Sequence, residues 1–172
     1  TVWQRYFGDE RAEFPGAVVQ ALVDQSQTLA VAESCTGGLV GQLLTSVPGS
    51  SAAFLGGVVA YANAAKQALL GVSDELLLTH GAVSEACAVA MARAVRERLG
   101  SSIGIATTGI AGPGGGTADK PVGTIHIALD DGHRVRHRAL LLPFDRERNR
   151  LATAYGALDL VRRHLQQTST RD

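Results

Sequence analysis

The sequence predicts an α/β fold, a three-layer α/β/α sandwich around a mixed, mostly parallel sheet of about five strands. Three observations predict it. Short apolar runs alternate with segments whose apolar residues recur at helical spacing. The composition, 45% hydrophobic and 5% aromatic, is built from Ala, Leu, Val and Gly, which suits helices packed closely on a sheet. Two late runs, 122–130 and 134–142, flank the turn Asp130-Asp131-Gly132-His133, and such a hairpin makes the sheet mixed. At 172 residues the chain is long enough for one domain with a proper core.

Residues 1–13 are polar with scattered aromatics and read as a linker or N-terminal arm. Thr1 stands where an initiator Met would, so a longer or processed polypeptide is expected. The domain is placed at 14–166 and a polar tail at 167–172. Phe14, Ala17, Val18, Ala21 and Leu22 form a helical stripe, with Pro15 in its first turn. A buried strand at 28–32 runs into Glu33-Ser34-Cys35-Thr36-Gly37-Gly38, and a helix is expected from about Thr36 to Thr45. A strand from Phe54 to Tyr61 follows, then a short helix capped by Asn63 and ended by Gly71. Ser73 starts another, which stops near His80-Gly81. Ser84 is a good N-cap for a helix over Glu85–Leu99. A third strand, 102–107, leads into a glycine-rich loop at 108–121, and after the hairpin Asp145 opens a last helix to about Gln166.

The net charge is zero, which gives no reason to expect a nucleic-acid or anionic-membrane partner. No apolar run reaches the roughly 18 residues of a membrane span. Cys35 and Cys87 form neither a CxxC pair nor a framework, and free thiols suit a reducing, cytoplasmic location. The five histidines lack HExxH spacing, so no metal is expected. Of sixteen basic side chains only Lys66 and Lys120 are lysines. Lysine, unlike arginine, can shed its proton in a protein site.

Four clusters carry candidate chemistry. In the first, Ser34 or Cys35 is a nucleophile awaiting a base; neighbouring side chains diverge there, so one of the two faces a pocket. Ser34 or Thr36 as a plain helix cap is the competing reading. The second, Tyr61-Ala62-Asn63-Ala64-Ala65-Lys66, offers an amine whose pKa desolvation would lower, against a solvated lysine on a surface helix. The third runs from Thr107 to Gly116. Glycine-rich turns after strands expose N–H groups that bind phosphate or an oxyanion, although a flexible surface loop has the same composition. In the fourth, Arg146 and Arg150 lie at i and i+4, spaced to clamp a phosphate or to form a solvated charged face.

Together these clusters resemble the C-terminal domain of CinA, the competence- and damage-inducible protein family, whose stand-alone members are nicotinamide mononucleotide deamidases (PncC). The resemblance rests on Ala32-Glu-Ser-Cys-Thr-Gly-Gly38, Tyr61 to Lys66, His80-Gly-Ala-Val-Ser-Glu85, Gly109-Ile-Ala-Gly-Pro113 and Lys120-Pro-Val-Gly-Thr124, in the family's order and spacing. It covers about residues 15–165. The resemblance implies a nicotinamide mononucleotide amidohydrolase in which Ser34 is the nucleophile, Lys66 its base and Tyr61 their support. The amide hydrolysis that the resemblance implies requires no other cofactor. Substrate contacts are expected from Glu33, Thr36, Gly37, Thr108, Gly109, Gly112, Arg146 and Arg150, with Arg150 the resemblance's candidate for the phosphate and Arg146 the alternative. The helix begun by Thr36 and the glycines is expected to turn its positive end toward the Ser34 oxygen. A non-catalytic pyridine-nucleotide-binding module and a general small-amide or ester hydrolase are the alternatives. A homo-oligomer and a covalently linked N-terminal CinA domain are further expectations.

Overall fold

The computed structural model describes residues 13–169. The arm read at 1–13 lies almost wholly outside them. The element order is α1 Glu13–Asp24, β1 Leu29–Glu33, α2 Leu39–Thr45, β2 Phe54–Val59, α3 Asn63–Leu70, α4 Asp74–His80, α5 Glu85–Leu99, β3 Ile103–Gly109, β4 Thr124–Asp130, β5 Val135–Leu141 and α6 Arg146–Ser169. One 3-10 turn, Ser50–Ala52, precedes β2. The five strands form one sheet in the order β2-β1-β3-β4-β5. β1 pairs in parallel with β2 and β3, whereas β4 is antiparallel to β3 and β5. The sheet is therefore mixed; its pairings divide evenly, and β4 alone runs against the other four strands.

The two faces of the sheet are packed differently, and β1 shows why. All five of its residues are buried. Leu29 and Val31 point to a core of branched side chains from α1, α2 and α6, including Val18, Leu22, Leu44, Leu158 and Val161. Ala30 and Ala32 point to the other face, where Ala88, Met91, Ala92 and Val95 of α5 meet Ala106 and Ala128. Small residues on both partners bring α5 close to the sheet. A Cβ on Gly104 would stand 2.1 Å from the Ala92 carbonyl oxygen. Fully burying a leucine such as Leu22 stabilises the first face by about 1.5–3 kcal/mol, whereas the second face depends on close van der Waals approach.

Ser84 caps α5 by accepting the Cys87 N–H at 3.1 Å, and Ser73 caps α4 from Leu76. Asp145 caps α6 by accepting the Arg148 N–H at 2.9 Å. Three expectations need correction. α2 begins at Leu39 rather than near Thr36, because Gly37 and Gly38 occupy left-handed backbone (φ +60° and +98°) that a helix cannot use. The N-cap of α3 is Ala62, not Asn63; the chain is extended at Ala62 and already helical at Asn63, with no side-chain cap. α6 runs to Ser169, beyond the expected end at Gln166, and so takes in the first part of the polar tail.

Candidate active site

The ends of β1, β2 and β3 share one edge of the sheet, and the loops leaving them enclose a cavity of about 290 Å³. That volume is near the lower end of the range for small-ligand sites. Ser34, Cys35, Tyr61, Lys66, Thr108, Gly109, Gly112 and Arg146 all contribute to its lining. Glu33, Thr36, Gly37 and Arg150 do not.

Ser34 is anchored by its own backbone, whose N–H donates to the Thr107 carbonyl at 3.0 Å and so extends the β1–β3 pairing by one residue. Its Oγ lies 3.0 Å from Lys66 Nζ, which arrives from the first turns of α3. Lys66 is buried at 1% exposure, yet its near oxygen partners carry no charge. Besides Ser34 Oγ they are the carbonyls of Ala60 and Tyr61, at 3.0 and 3.1 Å. As an ammonium Nζ can donate to all three oxygens; as a neutral amine it keeps two N–H bonds for the carbonyls and a lone pair that can take the Ser34 hydroxyl proton. Burial pushes the Lys66 pKa below the ordinary 10.5, while Cys87, Cys35 and Tyr61 oppose that shift.

Cys35, the chemically softer nucleophile, belongs to the core. It is 5% exposed, and burial pushes its thiol up to about 12. Almost no thiolate is then present near neutral pH. Both Ser34 and Cys35 line the cavity, so the expectation that one alone faces it is corrected; the hydroxyl is the one within hydrogen-bond reach of the Lys66 amine.

Glu33 has a different neighbourhood from the one expected. It is 1% exposed, and its carboxylate accepts the N–H groups of Gly38, Val40 and Gly41 at 3.0, 3.1 and 2.8 Å. The positive end of α2 is thus occupied by Glu33 rather than turned to Ser34. The reason is the double left-handed turn at Gly37-Gly38, which folds the start of the helix back over the strand that carries Glu33. Thr36 is fully buried, with its hydroxyl 2.7 Å from that of Thr107. Arg150 donates to the Thr36 carbonyl at 2.8 Å and also packs against Gly37. These residues hold the turn in shape.

The cavity rim is built from longer reaches. Arg146, at the start of α6, donates to the Gly112 carbonyl at 2.7 Å and to the Tyr61 hydroxyl at 2.9 Å. Tyr61 is 59% exposed, so its ring faces the cavity mouth while its carbonyl serves Lys66. Thr108 donates its hydroxyl to the Ala82 carbonyl at 2.7 Å. Gly109 is required by the close approach of β4, since a Cβ there would stand 2.4 Å from Ile125 Cδ1. Among the described residues no three His, Cys, Asp or Glu side chains converge as metal ligands would. His137 pairs instead with His126 and Glu85.

Ala82, Val83 and Asn149 contribute to the site without having been expected there. Ala82 and Val83 form one wall of the cavity, although their motif enters the sequence reading only as a family likeness. Asn149, fully buried, donates to the carbonyls of Ala111 and Phe144 and ties the loop to α6. Its one signal is its position, four residues after the capping Asp145, in a segment that otherwise reads as a charged face.

The comparisons agree with one another. The CinA C-terminal domain profile matches residues 11–165. A CinA-like protein of Synechocystis is 51% identical over 95% of this chain, and one of Anaeromyxobacter dehalogenans is 49% identical over 92%. The matches take up 40% and 39% of those relatives, so the chain spans about two fifths of their length. Among solved structures, the competence/damage inducible protein CihA of Agrobacterium tumefaciens superposes with a TM-score of 0.86 at 39% identity, over 90% of this chain and 94% of that one. A CinA superfamily protein of Klebsiella pneumoniae gives 0.88 at 31% identity, over 91% and 98%. The matched segment contains the whole Ser34–Lys66 site, and the chain belongs to the CinA C-terminal domain family.

Proposed function

We propose that this domain is a nicotinamide mononucleotide amidohydrolase of the serine–lysine type, releasing ammonia and nicotinate mononucleotide. The observation that carries the reading is Lys66 Nζ, buried 3.0 Å from Ser34 Oγ with two carbonyls and no charged group as its other near oxygen partners. In the proposed reaction neutral Lys66 takes the Ser34 proton while Oγ attacks the carboxamide carbon. The proton passes to the amide nitrogen, the C–N bond breaks and ammonia leaves, giving a Ser34 ester. Water, deprotonated by the same amine, hydrolyses that ester to the carboxylate and returns the proton to Ser34.

Arg146 lines the cavity, while Arg150 is turned to the Thr36 carbonyl, and this supports Arg146 as the partner of the substrate phosphate. The family resemblance adds a linked N-terminal domain to the proposal, and the Ala-rich, helix-covered composition adds a homo-oligomer. Ammonia release from nicotinamide mononucleotide tests the reading. Ser34→Ala and Lys66→Met should each lower kcat by about 10³-fold or more, and Cys35→Ala should keep it within about threefold. Tight binding of the nucleotide with no ammonia would favour the binding module instead. Equal rates on amides without a phosphate would favour the general hydrolase.

A further inference from the structure

The two lysines of this arginine-rich chain have separate places in the fold, and Lys120 is not used by the chemistry above. It sits at the end of the glycine-rich loop, and its Nζ donates to the carbonyl of His80, the last residue of α4, at 2.8 Å. The next two carbonyls are held as well: Gly81 by the Ser84 hydroxyl at 2.8 Å and Ala82 by the Thr108 hydroxyl at 2.7 Å. Three consecutive carbonyls leading into the Ala82–Val83 wall are therefore fixed by side chains, two of them from across the cavity edge.

The contact is closely fitted. Gly81 has φ +77°, and a Cβ there would stand 3.3 Å from Lys120 Nζ, so the wall's backbone lies directly against the amine. Lys120 itself is set by a tight turn: the Thr117 N–H donates to the Lys120 carbonyl at 2.9 Å, and the Lys120 N–H donates to Thr117 Oγ1 at 3.1 Å. A positive side chain at the carbonyl end of α4 also complements the helix dipole. The loop's other end is held from α6, where Arg146 and Asn149 take the Gly112 and Ala111 carbonyls. The loop residues between these holds, Pro113 to Asp119, are exposed.

We propose that Lys120 is a positioning residue, a latch that fixes the spacing between the Ala82–Val83 wall and the glycine-rich wall of the substrate cavity. It rests on the reading of this cavity as the amide site, and it acts on binding while leaving the Ser34–Lys66 pair untouched. The test compares Lys120→Met with Lys120→Arg by two measurements. In the first, hydrogen exchange is followed in residues 80–84 and 109–117 of the unliganded protein. Lys120→Met should speed exchange in both segments, and Lys120→Arg, which keeps a donor, should restore protection. In the second, steady-state ammonia release should show KM raised about five- to tenfold in Lys120→Met with kcat within about twofold, again recovered by Lys120→Arg.

Unchanged exchange in Lys120→Met overturns the latch. Faster exchange with the kinetic loss carried by kcat, or with no kinetic loss, overturns its role in spacing the substrate walls. Should the unaltered protein release no ammonia, the activity reading fails by itself, and the exchange measurement still decides whether the latch exists.

Discussion

The turn between β1 and α2 and the glycine-rich loop between β3 and β4 both carry glycines at a strand end, yet they are held in opposite ways. In the first, Glu33, Thr36 and Thr107 are buried and hydrogen-bonded, and the carboxylate alone accepts three N–H groups. In the second, the span from Pro113 to Asp119 is exposed, and long side chains from α6 and the loop's own Lys120 hold it at its ends. The proposed nucleophile stands on the first and the proposed recognition surface on the second. Chemistry that depends on a 3.0 Å contact needs a support with little freedom. A surface that admits and releases a ligand is drawn from less tightly held backbone.

The largest effect should come from removing the support of the first region. Glu33→Ala leaves three N–H groups at the start of α2 without their acceptor and should destabilise the fold by about 2–4 kcal/mol, with turnover falling alongside. Gly114→Ala is its counterpart in the second region. Nothing lies within 4 Å of a Cβ there, so unfolding free energy should move by less than about 0.5 kcal/mol. Urea melts of the two variants measure the difference. Equal destabilisation would remove the contrast between the regions.

In the first region the proposed chemical pair is legible in the sequence, and its support is not. Ser34 and Lys66 are legible because their types and flanks are unusual: a hydroxyl at a strand-to-helix turn, and a rare lysine on an alanine-rich segment after a strand. The fold is legible for a similar reason, since alternation of Leu29, Ala30, Val31 and Ala32 already separates the two faces of β1. Glu33, expected at the substrate, lies outside the cavity lining with backbone N–H groups as partners, and these leave no trace in composition; their direction is set by the left-handed turn at Gly37 and Gly38. Arg146 and Arg150 share a helix face at four-residue spacing, so spacing treats them alike, and the family resemblance puts Arg150 first. Their difference is made by what faces them, the cavity rim for one and the Thr36 carbonyl for the other.

Those two arginines give the next contrast. Arg146→Ala should raise KM for nicotinamide mononucleotide about tenfold and, by freeing the Gly112 carbonyl, cost about 1 kcal/mol of stability. Arg150→Ala removes the hold on the Thr36 carbonyl and should cost about 1 kcal/mol of stability with KM within about threefold. Steady-state kinetics beside urea melts decide it. A large KM effect at Arg150 would assign recognition to the wrong residue.

The finest distinction is in pH. Arginine stays charged throughout the accessible range, so the KM increase of Arg146→Ala should be the same at every pH. Lys66 should instead impose a titration on the chemical step, because only its neutral form can take the Ser34 proton. Its pKa is lowered from 10.5 by burial in the unliganded protein, so kcat/KM should rise with pH through that lowered value and level off before 10.5. The same shift acts on stability. Between the lowered folded value and the unfolded 10.5, the unfolded chain binds more protons at Lys66, so stability increases with pH there, by at most about 1.4 kcal/mol per unit. Below that window both states are protonated and the full cost of burying the ammonium is felt. Lys66→Met has no such titration. Its stability relative to the unaltered protein should be greatest at low pH and should shrink as pH climbs through the window. Urea melts from about pH 7 to about pH 10 follow that difference directly. A difference that stays flat while kcat/KM still rises would transfer the titration in the rate to a group other than Lys66.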